Sequence, residues 1–381
     1  MTMIFPAIFI GGPPHSGKST LFYRLSQALR QMKVEHYGLR ASPDGEGDWA
    51  YETGESLVRE LRMRSKEDWT PQFAAQMSRD IDQRHLPLLV DAGGRISPET
   101  AHIAAACTHG LLIASPAGDL ASWSTLLARL GRPLLAELRS DLAGEQHADI
   151  DAGVLHGTLN GLRQGDSSNG MCFAALLNQI QHLFNYPPGQ LFQIHCSLTS
   201  VELIIDLAQP IPPLPAHVGE HRWVPAELPT LLDSLPSEQP IAIYGRGPLW
   251  LSSALAAFTH PDPQIFNPRH GWASPPTIQL SDRPDLTRLN WTCTAQPDHT
   301  RVRLRIPQGY LDLEESQNLP APRVARDQGV ILDGKLPGWL LAGLARAYRD
   351  VAWLAVYQPQ LGDIVIASRV ADVRVGDVRP A

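Results

Sequence analysis

The first half of the chain alternates between apolar runs of strand length and stretches whose apolar side chains recur at helical spacing. Residues 4–10 form one continuous apolar run, and residues 19–32 place apolar side chains on one helical face. The same patterns predict further strands at 34–39, 86–90, 110–115 and 133–138, and helices at 55–64, 71–85, 98–108, 119–131 and 171–185. Apolar strands separated by helices predict an α/β domain with a mainly parallel sheet over residues 1–186.

The pattern changes after a Pro-Pro-Gly turn at residues 187–189. Short β-rich segments follow, with predicted strands at 191–196, 201–207, 241–244, 290–294 and 301–306. Helical spacing predicts helices at 249–258 and 337–348. The order strand, strand, glycine turn, helix, strand occurs twice. It predicts two tandem small α+β domains over residues 188–283 and 287–381, joined near residues 282–288.

Two glycine turns make this duplication visible. The first reads Gly245-Arg246-Gly247-Pro248-Leu249-Trp250, and the second, about 89 residues later, reads Gly334-Lys335-Leu336-Pro337-Gly338-Trp339. A repeat of this length is too long for a solenoid unit and suits two copies of one domain. Each turn opens a predicted helix, so it is either a structural turn alone or an anion-binding turn. The two tryptophans either pack in the core or stack on bases.

Composition indicates a globular protein without a basic surface. Hydrophobic residues make up 43% and charged residues 19% of the sequence, and the net charge of −7 argues against general nucleic-acid binding. No apolar run approaches the ~20 residues that span a bilayer, and no leader pattern opens the chain. The four cysteines lack Cys-x-x-Cys spacing, which indicates reduced thiols. We therefore expect a cytoplasmic protein with no membrane segment.

A phosphate-binding motif lies between the first predicted strand and the first predicted helix. The motif G-x-x-x-x-G-K-[ST] and the residue after it are supplied by Gly12, Pro13, Pro14, His15, Ser16, Gly17, Lys18, Ser19 and Thr20. Its glycines let backbone amides surround phosphates, which the helix N-terminus also attracts. Lys18 is expected to reach the β- and γ-phosphates of ATP, and Ser19 to offer its hydroxyl to Mg²⁺. The motif predicts a P-loop NTPase or kinase-like domain over residues 1–186; the alternative is a glycine turn with an incidental lysine.

Polar residues elsewhere in this half are candidate partners of the motif. Asp91 ends a predicted strand, where such sites hold the second magnesium-side carboxylate; the alternative is an aspartate that caps the turn. Arg95 follows a glycine pair and is a candidate phosphate contact. Asp44 and Asp48 lie in an acidic stretch that either binds a phosphate acceptor or is only solvated. Nothing in the sequence identifies an acceptor, so phosphotransfer and simple ATP hydrolysis both stay open.

Four motifs of the second half belong together: the Gly-Arg-Gly-Pro-Leu-Trp turn at 245–250, Ala-Val-Tyr-Gln-Pro-Gln-Leu-Gly at 355–362, and the segments 367–369 and 376–378. In these motifs the second half resembles the Csx-three family of CRISPR-associated ring nucleases. It extends to the whole chain, because some family members are fused to a P-loop domain. The resemblance implies binding of cyclic tetra-adenylate, the messenger of type III CRISPR immunity, with Mn²⁺-dependent cleavage. It also implies a homo-oligomer and a role in antiviral defence.

The departures from the family pattern fall on its metal-binding positions. Where the family has a helix histidine, a turn aspartate and a strand-end histidine, the second copy has Arg346, Gln358 and Arg369. The first copy has Ala256 or Ala257 in the helix and Asn267 at the aspartate position. Arginine offers no lone pair to a metal, but its guanidinium suits phosphate contacts. His260 and His270 are either residual ligands or solvated loop side chains.

The leading hypothesis is a cyclic-oligoadenylate sensor whose tandem domains control an ATP-dependent P-loop domain. Its ligand-binding residues would be Gly245, Arg246, Gly247, Pro248, Trp250, Gly334, Lys335, Pro337, Gly338, Trp339, Arg346 and Arg369. One alternative is a divergent metal-dependent ring nuclease or RNA deadenylase. Another is a non-catalytic protein that only holds the messenger.

Overall fold

The computed structural model describes residues 5–41, 71–141, 147–160, 170–209, 211, 222–283, 289–306, 311 and 313–380. The chain divides into two compact units. The first contains Met1–His195 with Pro268–Gly271, and the second contains Cys196–Asn267 with Trp272–Ala381. The helix predicted at 55–64 and the candidate residues Asp44 and Asp48 lie outside the described residues.

The first unit contains a seven-stranded sheet with flanking helices. Its strands are β1 (Ala7–Gly11), β2 (Tyr37–Ala41), β3 (Leu88–Ala92), β4 (His109–Ala114), β5 (Leu134–Ser140), β6 (Ala148–Asp151) and β7 (Val154–Leu159). Its helices are α1 (Lys18–Gln31), α2 (Pro71–Asp82), α3 (Pro98–Ala106), α4 (Ala121–Arg129), α5 (Met171–Leu183) and α6 (Pro188–Cys196). The strand order is β2-β3-β1-β4-β5-β7-β6, and neighbours are parallel except for β6 and β7. The predicted α/β class with a mainly parallel sheet is confirmed.

The apolar runs form this sheet because its central strands are buried on both faces. All five residues of β1 and of β3 are buried. Side chains of β1, including Ile8 and Ile10, pack in one cluster with Leu21 and Leu25 of α1 and Phe173 of α5. The parallel arrangement brings the carboxyl ends of β1, β2 and β3 to the same edge of the sheet.

The prediction of a strand at 191–196 is wrong, because these residues belong to helix α6. Pro188 stands first in this helix, where its missing N–H costs no hydrogen bond. Leu191 and His195, four residues apart, are the buried positions of α6. The apolar run Leu-Phe-Gln-Ile is short enough for either a strand or a helix. The burial of two residues four positions apart is the pattern of a helix.

The hairpin β6–β7 has no counterpart among the predicted strands. Its two-residue turn, Ala152-Gly153, has φ of 48° and 86°, the left-handed conformations that fit a tight hairpin. Residues 149–151 of β6 are exposed, so no apolar run marks this strand.

The second unit contains three sheets and three α-helices among its described residues. A four-stranded sheet has the order β11-β10-β9-β8 and a two-stranded sheet pairs β12 with β15, from β8 (Leu203–Asp206), β9 (Ile241–Tyr244), β10 (Gln264–Asn267), β11 (Gly271–Ala273), β12 (Ile278–Ser281) and β15 (Leu319–Pro322). A six-stranded sheet has the order β13-β14-β16-β17-β18-β19, from β13 (Asn290–Ala295), β14 (His299–Arg305), β16 (Gly329–Asp333), β17 (Trp353–Gln358), β18 (Gly362–Ser368) and β19 (Val378–Arg379). The helices are α7 (Leu228–Asp233), α8 (Leu249–Phe258) and α9 (Gly338–Tyr348).

Two segments of this unit repeat the same order of elements. In the first segment, β8, β9 and β10 are parallel neighbours and α8 connects β9 to β10. In the second, β14, β16 and β17 are parallel neighbours and α9 connects β16 to β17. Both helices contribute to one continuous apolar core. The order of elements recurs as predicted, while the division into two tandem domains stays a prediction.

We predict that protonation of buried His195 destabilises the first unit in acid. The ring is fully buried and its Nε2–H donates to the His85 carbonyl at 2.6 Å. Burial lowers the pKa of His195 from 6.5 to about 4, although the hydrogen bond to the His85 carbonyl opposes this shift. Since the folded pKa lies below the unfolded one, the native state binds fewer protons, and stability falls as pH drops through this range. Urea unfolding between about pH 7 and about pH 4 should show a loss of about 2–3 kcal/mol from this residue.

A His195→Gln variant should lose this part of the pH dependence, because glutamine can donate to the carbonyl without titrating. His182→Gln is the matched control, since His182 is exposed on α5. An unchanged pH profile in His195→Gln would refute the prediction.

Candidate phosphate site and glycine turns

The phosphate motif forms a tight loop between β1 and α1. Gly12 has a φ of 145°, and a Cβ at this position would collide with the Ile113 carbonyl oxygen of β4. Gly17 has a φ of 86° at the start of α1. Both positions therefore require glycine, since other residues rarely adopt these backbone angles. The loop brings the first turn of α1 to the carboxyl end of β1.

Lys18 lies under this loop and is only 8% exposed. Its Nζ donates to the Gly12 oxygen at 3.0 Å, the Pro13 oxygen at 2.7 Å and the Ser16 hydroxyl at 3.3 Å. Burial lowers the pKa of Lys18, and the negative charge of Asp91 opposes this shift. The carbonyl groups thus hold the ammonium group beside the loop, and it does not extend into solvent.

The other motif residues form the rim of the loop. Pro14 and His15 are exposed, while Pro13, Gly17, Ser19 and Thr20 are half-buried. His15 has a φ of 60°, so its backbone is left-handed although it is not glycine. Ser19 and Thr20 stand in the first turn of α1, where backbone amides lack partners within the helix.

Asp91 reaches the same edge of the sheet from β3. It pairs in register with Ile10 of β1 on one side and Arg40 of β2 on the other. Asp91 is 2% exposed, and its Oδ2 lies 3.4 Å from Arg40 Nε. No sequence pattern singles out Arg40, because its contact with Asp91 depends on β2 and β3 being neighbours.

The Gly93-Gly94 pair after β3 lies against the phosphate loop. A Cβ on Gly94 would lie 2.9 Å from the Pro14 backbone and 3.3 Å from Lys18 Nζ. A side chain at position 94 would therefore press on the loop, while Arg95 beside it is exposed. Lys18 and the first turn of α1 therefore place positive charge beside the loop, an arrangement of the kind that attracts phosphates.

The two glycine turns of the second unit also stand between a strand and a helix. Gly245 has a φ of 84° and Gly334 a φ of 143°, and a Cβ on Gly334 would collide with the Leu304 carbonyl oxygen. The turn residues Gly245, Arg246, Gly247, Gly334 and Lys335 are exposed. Pro248, Pro337 and Gly338 are half-buried at the helix starts.

Helices α8 and α9 pack side by side and run in the same direction. At their starts, a Cβ on Gly338 would lie 3.3 Å from Leu249 Cδ2. At their ends, Arg346 of α9 donates to carbonyl groups that follow α8. Both glycine turns therefore lie at the same end of the helix pair, and both helix N-termini attract anions there.

Trp250 and Trp339 are buried in the core of this unit. They are 1% and 4% exposed and belong to the same apolar cluster. Of the two alternatives, the structure shows core packing for both indoles.

Arg346 is engaged by the end of α8. Its Nη1 donates to the carbonyls of Ala256 and Thr259, each at 2.8 Å, and its Nη2 pairs with Asp262 at 2.8 Å. This guanidinium satisfies carbonyl groups that the end of a helix leaves without partners. Arg369 differs, because it is exposed and pairs with exposed Asp350.

A second charged cluster, which no sequence pattern reveals, lies next to the second glycine turn. Arg301 bridges Asp333 at 3.3 Å and Asp363 at 2.6 Å, and Arg303 contacts Asp333 at 2.7 Å. Asp333 is the last residue of β16 and directly precedes Gly334. The two arginines thus anchor the strand end from which the turn departs. Burial raises the pKa of Asp363, and Arg301 opposes this shift.

The histidines near the first turn show ordinary surroundings. His260 is exposed and lies 3.7 Å from Glu238, while His270 is half-buried. Within the described ranges, no group of three or more His, Cys, Asp or Glu side chains is arranged to hold a metal ion.

We predict that Arg346→Met destabilises the second unit by about 2–4 kcal/mol, because buried carbonyl groups lose charged donors. Arg369→Met is the matched control and should cost below about 1 kcal/mol, since its ion pair is solvated. Chemical unfolding of both variants measures the difference. Equal costs for the two substitutions would contradict this assignment.

No helix in the described part of the chain is both long and apolar enough to cross a membrane.

The C-terminal part of the chain matches a known protein family. Residues 304–380 match the family model described as CRISPR-associated protein (Cas_csx3). This stretch, which contains the second glycine turn, α9 and strands β16 to β19, is a Csx3-like CRISPR-associated domain.

Proposed function

We propose that the protein is a type III CRISPR accessory protein that binds ATP in its first unit and cyclic oligoadenylate in its second. Messenger binding would control the turnover of the nucleotide. The observation that carries the proposal is the glycine-bounded loop over buried Lys18, present in a chain that also holds a Csx3-like domain.

The first unit supports ATP binding through three physical features. The loop amides and the first turn of α1 present partial positive charge to phosphates. Lys18 adds a full positive charge that carbonyl groups already hold in place. Gly94 leaves room for the backbone after β3 to lie against the loop. ATP hydrolysis and phosphotransfer to an acceptor both remain compatible with this arrangement.

Magnesium fits this site only in part. The Ser19 hydroxyl stands in the first turn of α1, where it would suit a metal bound to the phosphates. Asp91, the other expected magnesium-side residue, already faces the guanidinium of Arg40. When bound, Mg²⁺ would screen phosphate charge, and the residues of the loop would still orient the phosphate chain.

The second unit supports binding of an anionic messenger at its paired turns. Two helix N-termini lie at one end of the α8–α9 pair, and Arg246 and Lys335 are exposed in the turns beside them. A cyclic oligonucleotide presents several phosphates in a ring, which suits two anion-binding turns better than one. Mn²⁺ fits poorly, because arginine at positions 346 and 369 offers no lone pair.

Cleavage of the messenger is the alternative enzymatic function. It would make the protein a metal-dependent ring nuclease or RNA deadenylase, with the nucleotide site as an accessory. A purely binding protein is the non-enzymatic alternative. Arg346 donates to carbonyl groups at the end of α8. This contact argues against a metal site at position 346 and against a direct contact of Arg346 with phosphate.

We predict that Lys18→Ala weakens ATP binding, with the dissociation constant rising at least about a hundredfold, because a charge-assisted phosphate contact is lost. Isothermal titration of the full chain with ATP measures this. Arg129→Ala, an exposed substitution at the end of α4, is the control and should bind as the wild type does. Unchanged affinity in Lys18→Ala would refute the proposed nucleotide site.

We predict that cyclic tetra-adenylate binds the full chain and that an Arg246→Ala, Lys335→Ala double variant binds it at least about tenfold more weakly. The two cations flank the turns and are exposed, so the fold should tolerate their loss. Messenger binding by an Arg369→Ala variant shows whether the arginine after β18 contributes to affinity in addition to the two turns. Absence of messenger binding by the wild type would remove the second half of the proposal.

A further inference from the structure

A buried arginine lies in the phosphate site beside the carboxylate expected to assist magnesium. Arg40 is 7% exposed, and strands β2 and β3 place it directly opposite Asp91 in register. Its Nε lies 3.4 Å from Asp91 Oδ2 and has no hydrogen-bond partner among the described residues. Arg40 is thus a buried cation whose ion pair with Asp91 places it at this edge of the sheet.

Among the described residues at this edge of the sheet, the charges do not balance. Lys18, Arg40 and Asp91 are each less than 10% exposed, which places two cations against one carboxylate. Arginine does not deprotonate in proteins, so Arg40 keeps its charge when buried. A buried charge is costly unless it is paired. The surplus positive charge is therefore suited to an anion, and two oxygens of a phosphate group offer the bidentate acceptor that guanidinium prefers.

The same contact works against a divalent cation at Asp91. A metal with two positive charges would have to displace the guanidinium from this carboxylate or share it. Either change would bring like charges together in a site of low exposure. The carboxylate's available charge is already used by a residue of the protein.

We propose that Arg40 is a phosphate-binding residue of this site and supplies the counter-charge that Mg²⁺ would otherwise provide, so that nucleotide binds without a divalent cation. This inference rests on the proposed ATP site. Asp91 then acts as a positioning residue, which holds Arg40 at the sheet edge until phosphates enter.

The test is titration of the full chain with ATP in excess EDTA and in excess magnesium chloride. The wild type should bind with dissociation constants that differ by less than about threefold between the two buffers. Arg40→Gln should bind at least about tenfold more weakly in EDTA, since a charge-assisted phosphate contact is lost, and magnesium should restore most of the affinity. Arg129→Gln is the matched control, because it removes an exposed arginine from the same unit.

The outcomes separate this inference from the proposed function. Wild-type binding that requires magnesium, with at least about tenfold loss in EDTA, would overturn the role of Arg40 and leave the nucleotide site intact. Absence of ATP binding in both buffers would overturn both proposals. The wild-type comparison needs no substitution, so it decides the question even if Arg40→Gln is destabilised. Thermal unfolding shows whether Arg40→Gln is folded, so that its ATP affinity can be compared with that of the wild type. Arg40→Lys is a second variant, which keeps the positive charge and changes the structure less.

Discussion

Both candidate sites depend on one constraint, a glycine where a parallel strand turns into a helix. Gly12 and Gly334 have nearly the same φ, 145° and 143°, and at each a Cβ would collide with the carbonyl of a neighbouring strand. Only glycine lets the chain pass so close to that strand and still begin a helix. The consequence in each unit is a helix N-terminus that points its unpaired amides away from the carboxyl edge of a sheet.

Charged residues of neighbouring strands complete these turns in different ways. In the first unit, the described residues Lys18, Arg40 and Asp91 form a buried group of two cations and one carboxylate. In the second, Arg301 and Arg303 are bound by Asp333 and Asp363, so they stabilise the strand end instead. The first arrangement suits phosphate binding beside the loop, and the second leaves anion binding to the exposed turn residues. The contrast explains why one unit is proposed to bind ATP and the other a larger, ring-shaped anion.

The sequence predicted what local pattern determines and missed what depends on distant neighbours. Continuous apolar runs located β1 and β3, because strands buried on both faces need no alternation, and glycine spacing located the loop over Lys18. The apolar run at 191–196 is short enough for either a strand or a helix, and the proline at 188, which suits the first position of a helix, is the better indicator. Arg40 and Asp91 are 51 positions apart in numbering and meet only because β2 and β3 are adjacent. Arg346 contacts carbonyls of the other repeat, so no pattern within its own helix reveals its partners.

The central claim is that a messenger bound by the second unit controls nucleotide turnover by the first. Steady-state ATP hydrolysis by the full chain, measured with and without cyclic tetra-adenylate, tests this most directly. The account predicts that the messenger changes the rate at least about threefold and that Lys18→Ala shows no turnover in either state. ATP turnover that is identical with and without bound messenger would contradict it.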